Sequence, residues 1–136
     1  MRTGAVLVAL LAAALAAPAT AASPVKTTLV TSTRTPVVGQ AWRWTVTART
    51  AGGAPLAARM KLQILLGETV VGCFAGGEVR QCTGASPGDW IAFRGRRTGV
   101  LRWPAESVGV TLTFQALVKV GKLTRKLRAP VTVRPA

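Results

Sequence analysis

The chain of 136 residues carries 18 Lys+Arg against 4 Asp+Glu, has no His, and holds a formal net charge of +14. The missing histidine removes the usual neutral-pH base and metal ligand, and four scattered acids offer little to paired-carboxylate hydrolysis. Such a charge predicts solubility, self-repulsion at low salt and loose affinity for polyanions.

The chain opens with Met1-Arg2, an apolar run from Ala5 to Ala17, and small residues through Ala22. One positive charge, a short apolar core and the small-x-small site Ala19-Thr20-Ala21 predict a secretory signal peptide over residues 1–21. A permanent anchor is disfavoured, because the run is short for a bilayer and rich in Ala. No Cys follows for lipid attachment, and Arg2 stands alone, so no twin-arginine signal is expected. Residues 22–136 are then expected to form one domain, secreted or associated with the cell envelope. No later stretch approaches transmembrane length.

Residues 25–32 are the first strand candidate, with Val25, Thr27, Leu29 and Thr31 on one parity. The mixed pattern suits an edge. Residues 40–50 alternate cleanly: Trp42, Trp44, Val46 and Ala48 against Arg43, Thr45, Thr47 and Arg49. One face of such a strand belongs to a core and the other to water. A loop, Ala51-Gly52-Gly53-Ala54-Pro55, leads to a hairpin turning at Gly67-Glu68. Met60, Leu62, Ile64 and Leu66 are expected inward on its first arm, and Thr69, Val71 and Cys73 on its second. Arg59, Lys61, Gln63 and Leu65 fall on the wet parity.

Cys73 and Cys82 have eight residues between them, including Gly76-Gly77. Export makes a structural disulfide the expected state. The short loop limits its gain to about 2–3 kcal/mol. Residues 74–88 read as a Gly-rich loop with a turn at Ala85-Ser86-Pro87-Gly88-Asp89. Trp90, Ala92 and Phe93 lead into the basic run Arg94-Gly95-Arg96-Arg97, expected to adapt its shape around the glycine. Val100-Leu101-Arg102-Trp103 is a short strand stopped by Pro104.

Residues 110–133 carry the strongest pattern. Val110, Leu112, Phe114, Ala116, Val118 and Val120 share one parity, and Leu123, Leu127, Ala129, Val131 and Val133 return on the matching one. A two-residue turn at Gly121-Lys122 sets Val120 beside Leu123 and Phe114 beside Ala129. The outer face would gather Lys119, Lys126 and Arg128 into a stripe. About seven strands at short spacing, with no helix, predict an all-β fold: an immunoglobulin-like antiparallel β-sandwich.

Four stretches carry a family resemblance: Val38-Gly39-Gln40 before Trp42, Ala51-Gly52-Gly53-Ala54-Pro55, Leu101-Arg102-Trp103-Pro104-Ala105, and the close in Val131-Thr132-Val133-Arg134. With them, residues 25–134 resemble bacterial immunoglobulin-like (Big-type) domains of exported actinobacterial proteins. The resemblance implies a stalk, spacer or adhesive module and supplies no catalytic residues. The antibody-type Cys–Trp–Cys spacing is absent.

Glu68, Glu78, Asp89 and Glu106 show no sign of meeting, and Ser86 and Ser107 lie in no recognisable motif, so no enzyme activity, metal site or cofactor is expected. The expected polyanion-binding residues are Arg94, Arg96, Arg97, Lys119, Lys126 and Arg128. Basic residues near Trp90 and Trp103 resemble single-strand binding surfaces, but export removes the usual nucleic-acid partner, and no sequence-specific recognition is expected. The leading expectation is a non-catalytic secreted module with a structural, adhesive or protein-interaction role and weak polyanion binding. Its partner would be an anionic cell-wall polymer or another exported protein. The alternative is an exported carbohydrate or small-ligand binding protein using Trp90 or Trp103 as a platform.

Overall fold

A computed structural model describes residues 24–75, 77–82 and 88–136; the predicted signal peptide, Ser86 and most of the turn around it lie outside the described residues. Among the described residues there are nine strands: β1 Val25–Thr31, β2 Ala41–Thr50, β3 Ala57–Leu66, β4 Thr69–Ala75, β5 Glu78–Gln81, β6 Ile91–Arg94, β7 Arg96–Arg102, β8 Thr111–Val120 and β9 Leu123–Thr132. They form two antiparallel sheets. The smaller runs β1-β2-β7; the larger runs β5-β4-β3-β8-β9, with β6 also paired to β3. The chain therefore leaves the first sheet after β2, returns to it for β7, and leaves again for the closing hairpin. This Greek-key connection makes the fold an immunoglobulin-like β-sandwich.

The strand count exceeds the expected seven for two local reasons. Residues read as a Gly-rich loop contain the short strand β5, and Gly95 divides the segment after Trp90 into β6 and β7. Gly95 is buried at φ +71°, and a side chain there would place Cβ 2.6 Å from Cβ of Pro55. Its N–H donates to the Leu56 carbonyl and its carbonyl accepts from Ala48 N–H, both at 2.9 Å. It is the point at which the chain changes sheets. The basic run is thus not a loose, adaptable loop: its backbone is fixed between two strands.

The core lies between the inward faces. Trp42, Trp44, Val46 and Ala48 are all buried, as their alternation predicts. Trp42 meets Phe114 edge-on at 5.0 Å and Trp103 at 5.2 Å between ring centroids. Phe74 stands edge-on to Phe114 at 6.5 Å and to Trp44 at 6.4 Å. Aromatic pairs in this arrangement contribute about 0.5–1.5 kcal/mol beyond the area they bury. Trp42 also donates its indole N–H to the Thr33 carbonyl at 2.6 Å. The terminal hairpin has the expected register, with Val120 opposite Leu123, Ala116 opposite Leu127 and Phe114 opposite Ala129.

The second hairpin departs from expectation. Ile64 pairs with Gly72 and Leu65 with Val70, so Val71 is an extra residue in β4. A bulge of this kind reverses the faces of everything beyond it. Gly72 and Phe74 turn inward, while Cys73 turns outward opposite Gln63. The expected inward placement of Cys73 is therefore wrong. Leu65 is 2% exposed on the outer face, whereas Leu66, at the strand end, is 49% exposed.

Gly99 has no side chain because Trp44 occupies the space. A Cβ there would lie 2.2 Å from Cζ2 of the indole. Phe114→Ala should cost about 3–5 kcal/mol through a cavity, and Gly99→Ala about 1–3 kcal/mol through overpacking. Urea melts measure both. A Gly99→Ala variant as stable as the parent would show that Trp44 is not pinned on that glycine.

Candidate functional site: the outer face of the larger sheet

Pairing across β6, β3, β8 and β9 sorts the outward side chains into rows. Ala92 pairs with Arg59, Arg59 with Lys119, and Lys119 with Thr124. In the next row Lys61 pairs with Leu117, and Leu117 with Lys126. Ile91 pairs with Met60, so Trp90 comes beside Lys61, whose Nζ lies 4.5 Å from the ring centroid. Arg94, opposite Ala57, extends the same face. A hollow of about 400 Å³ opens at this end of the sheet, with Ala57, Ala58 and Ala92 among its lining and Arg59 and Lys119 at its sides. Small side chains leave the space, and two cations supply the charge.

A polar chain bounds the site on the far side of Lys61. Gln63 and Gln115 are each 4% exposed, and Gln115 Nε2 donates to Gln63 Oε1 at 2.9 Å. Arg128 Nε donates to Gln115 Oε1 at 2.7 Å, and its two terminal nitrogens reach the two oxygens of Glu68 at 3.1 Å each. This fork is the strong geometry for Arg and carboxylate. Hydrogen bonds from Arg128, then its charge, hold the Glu68 carboxyl below its ordinary value.

The expected basic residues are thus divided. Lys119, Lys126 and Arg94 share the outer face of the larger sheet. Arg128 is on that face too, but its guanidinium is engaged by Glu68 and Gln115. Arg96 pairs with Thr47 on the outer face of the smaller sheet, and Arg97 pairs with Val46 on the inward parity yet remains exposed at the border. Arg94, Arg96 and Arg97 do not form one cluster. Arg59 and Lys61 were missed as site residues: their wet parity was legible, but the pairing of β3 with β8 brings them to Lys119. The smaller sheet has its own basic face, with Lys26, Arg43, Arg49, Arg96 and Arg102 around Thr28, Thr45, Thr47 and Thr98. Thr28 hydrogen-bonds Thr47, and Thr45 meets Thr98 at 3.0 Å.

Trp103 is 1% exposed and packs edge-on against Trp42, so it provides no platform; Trp90, at 41%, remains open to water. Ser107 Oγ donates to the Pro104 carbonyl. Glu68 pairs with Arg128, and Glu78 approaches Arg80 at 3.7 Å. Among the described residues no group of three or more His, Cys, Asp or Glu is placed to hold a metal ion. Cys73 and Cys82 form a disulfide, with Cα atoms 5.9 Å apart, which favours an oxidising, extracytoplasmic environment. Among the described residues no helix is long and apolar enough to cross a membrane.

No protein-family model matches the chain, and no curated protein sequence matches it. Solved structures similar to it include the CARDB domain of a Pyrococcus furiosus protein in complex with di-metal ions, at 11% identity and TM-score 0.49. That match covers 84% of this chain and 96% of the other. The sporulation control protein Spo0M of Bacillus subtilis is similar at 10% identity and TM-score 0.47, over 84% of this chain and 50% of that one. This chain thus spans about half the length of Spo0M.

Arg128→Ala should destabilise the fold by about 1 kcal/mol, more than an ordinary surface change, because buried Gln115 loses its donor. Glu68→Gln should act through pH. The Glu68 carboxylate has a lowered value in the folded state, so its contribution is complete above the ordinary value of 4.5 and lost as pH falls through the lowered one. Acid-unfolding curves of Glu68→Gln should be flatter over that interval. Superimposable curves would mean that the pair contributes nothing.

Proposed function

We propose that the protein is an exported, non-catalytic immunoglobulin-like module that binds anionic polymers at the cell envelope through the outer face of its larger sheet. The observation that carries this reading is the convergence of Arg59, Lys61, Arg94, Lys119 and Lys126 on one face, beside a hollow with alanines in its lining. Four acids cannot neutralise 18 cations, and one of them, Glu68, is already engaged by Arg128. A face of this kind attracts anionic chains, raises association rates and loses affinity as salt rises. The signal-peptide pattern and the disulfide support an envelope or extracellular setting, where wall polymers are the abundant polyanions.

The test is binding to a teichoic-type polymer and to heparin across a salt series. Arg59→Glu with Lys119→Glu should weaken both by roughly tenfold or more. Arg96→Glu with Arg97→Glu should have a smaller effect, because those residues belong to the other sheet. Tight binding that ignores salt and both double variants would overturn the reading. A larger loss from the Arg96 and Arg97 pair would move the site to the smaller sheet.

A further inference from the structure

We infer that the Trp90 end of this face recognises an acidic polysaccharide, with a sugar ring stacked on the indole and its acid group held by Arg59 and Lys119. The inference rests on the polyanion reading of the same face and adds the class of polymer.

Trp90 differs from every other aromatic side chain among the described residues. Trp42, Trp44, Trp103, Phe74, Phe93 and Phe114 are all buried, while Trp90 is 41% exposed. A large apolar ring left in water is a feature of contact surfaces. The ring is also held in place. The Lys61 ammonium lies 4.5 Å from its centroid, and Lys61 itself is only 9% exposed. The cation occupies one face of the ring, and the residue as a whole still keeps 41% of its surface in water. The backbone on either side is fixed. Asp89 N–H donates to the Phe74 carbonyl at 3.0 Å, Gly88 packs so closely that a Cβ would lie 3.0 Å from Cβ of Cys73, and Ile91 is in register with Met60. A fixed indole loses little entropy on binding.

The neighbouring charges give the ligand its second requirement. Arg59 and Lys119 lie one row along, about 7 Å from the Lys61 row by the rise of two strand residues. The ligand must therefore offer a flat apolar surface and, a short distance away, an anion. The C–H face of a pyranose and a carboxylate on the same or the next sugar meet both conditions. A polyphosphate has the charge without the ring. Single-stranded nucleic acid has both, but its binding surfaces stack successive bases on several aromatics, and this face exposes one indole among cations.

The experiment uses the purified protein with polygalacturonate, a neutral galactan, polyphosphate and poly-dT, read by titration calorimetry and by acrylamide quenching of tryptophan fluorescence. Polygalacturonate should shield Trp90 from acrylamide, and the galactan should not compete at equal concentration. Trp90→Ala should weaken polygalacturonate binding by about tenfold while changing polyphosphate binding by less than about twofold, and Trp90→Phe should recover most of the loss. Arg59→Glu with Lys119→Glu should weaken both polymers. Urea melts of Trp90→Ala matching the parent exclude misfolding as the cause. Equal binding of polygalacturonate by the parent and Trp90→Ala would overturn this inference while leaving the polyanion reading intact. Poly-dT bound about tenfold more tightly than polygalacturonate would overturn it in favour of nucleic acid. Failure to bind any of the anionic polymers would overturn both readings.

Discussion

The contact of the Trp44 indole with Gly99, and of its neighbour Trp42 with Phe114 and Trp103, sets the terms for the rest of the structure. These rings join the two sheets. Trp42 and Trp44 come from β2, Phe114 from β8, and Trp103 from just beyond β7, so one cluster ties together segments far apart in sequence. Gly99 lets β7 lie close against the Trp44 ring, where any other residue would push the strand away. Once the inward parities of β2, β3 and β8 are filled by apolar residues, the alternation of a strand sends their partners outward. Arg43, Arg59, Lys61 and Lys119 hold outward parities for that reason, before any ligand is considered.

How much of this was legible depended on whether the deciding contact was local. The Trp42 strand and the 110–133 hairpin were readable because alternation and a two-residue turn are properties of short segments. The bulge at Val71 was not, since nothing in Thr69-Val70-Val71-Gly72 states that the strand holds one residue too many. Gly95 read as a flexible break in a basic run because its hydrogen bonds to Leu56 and Ala48 span about forty residues of chain. The candidate site followed the same rule. Lys119 and Lys126 were found within one hairpin. Arg59 and Lys61 join them only through the long-range pairing of β3 with β8, and Arg128 reads as part of the stripe because Glu68, which engages it, comes from a distant turn.

Charge on the two sheets has a simple consequence. Their outer faces are separated by the sandwich itself, whose sheets pack about 10 Å apart, with side chains beyond on both sides. The Debye length at physiological salt is about 8 Å. Cations on one face are therefore largely screened from those on the other, and the faces act as separate surfaces. The smaller sheet offers threonines that hydrogen-bond one another, with arginine and lysine at both ends. The larger offers an indole, a hollow and a buried amide chain closed by an ion pair. A long polymer bound as proposed would meet two different basic surfaces, and the one with shape is the one that could discriminate.

The bulge also decides where the disulfide stands. With Val71 as an extra residue, Cys73 leaves the core side and emerges opposite Gln63, on the same face as Lys61 and Trp90. Without it, Cys73 would point between the sheets, where Phe74 now fills the space against Trp44 and Phe114. The outward sulfur can meet Cys82 at the end of β5, and Gly88 then packs against Cys73 on the way to Asp89 and Trp90. Covalent closure on this side thus fixes the edge from which the Trp90 segment departs, while the Asp89–Phe74 hydrogen bond ties that segment to β4. One additional residue in β4 gives the core its phenylalanine, the outer face its disulfide and the exposed indole its support.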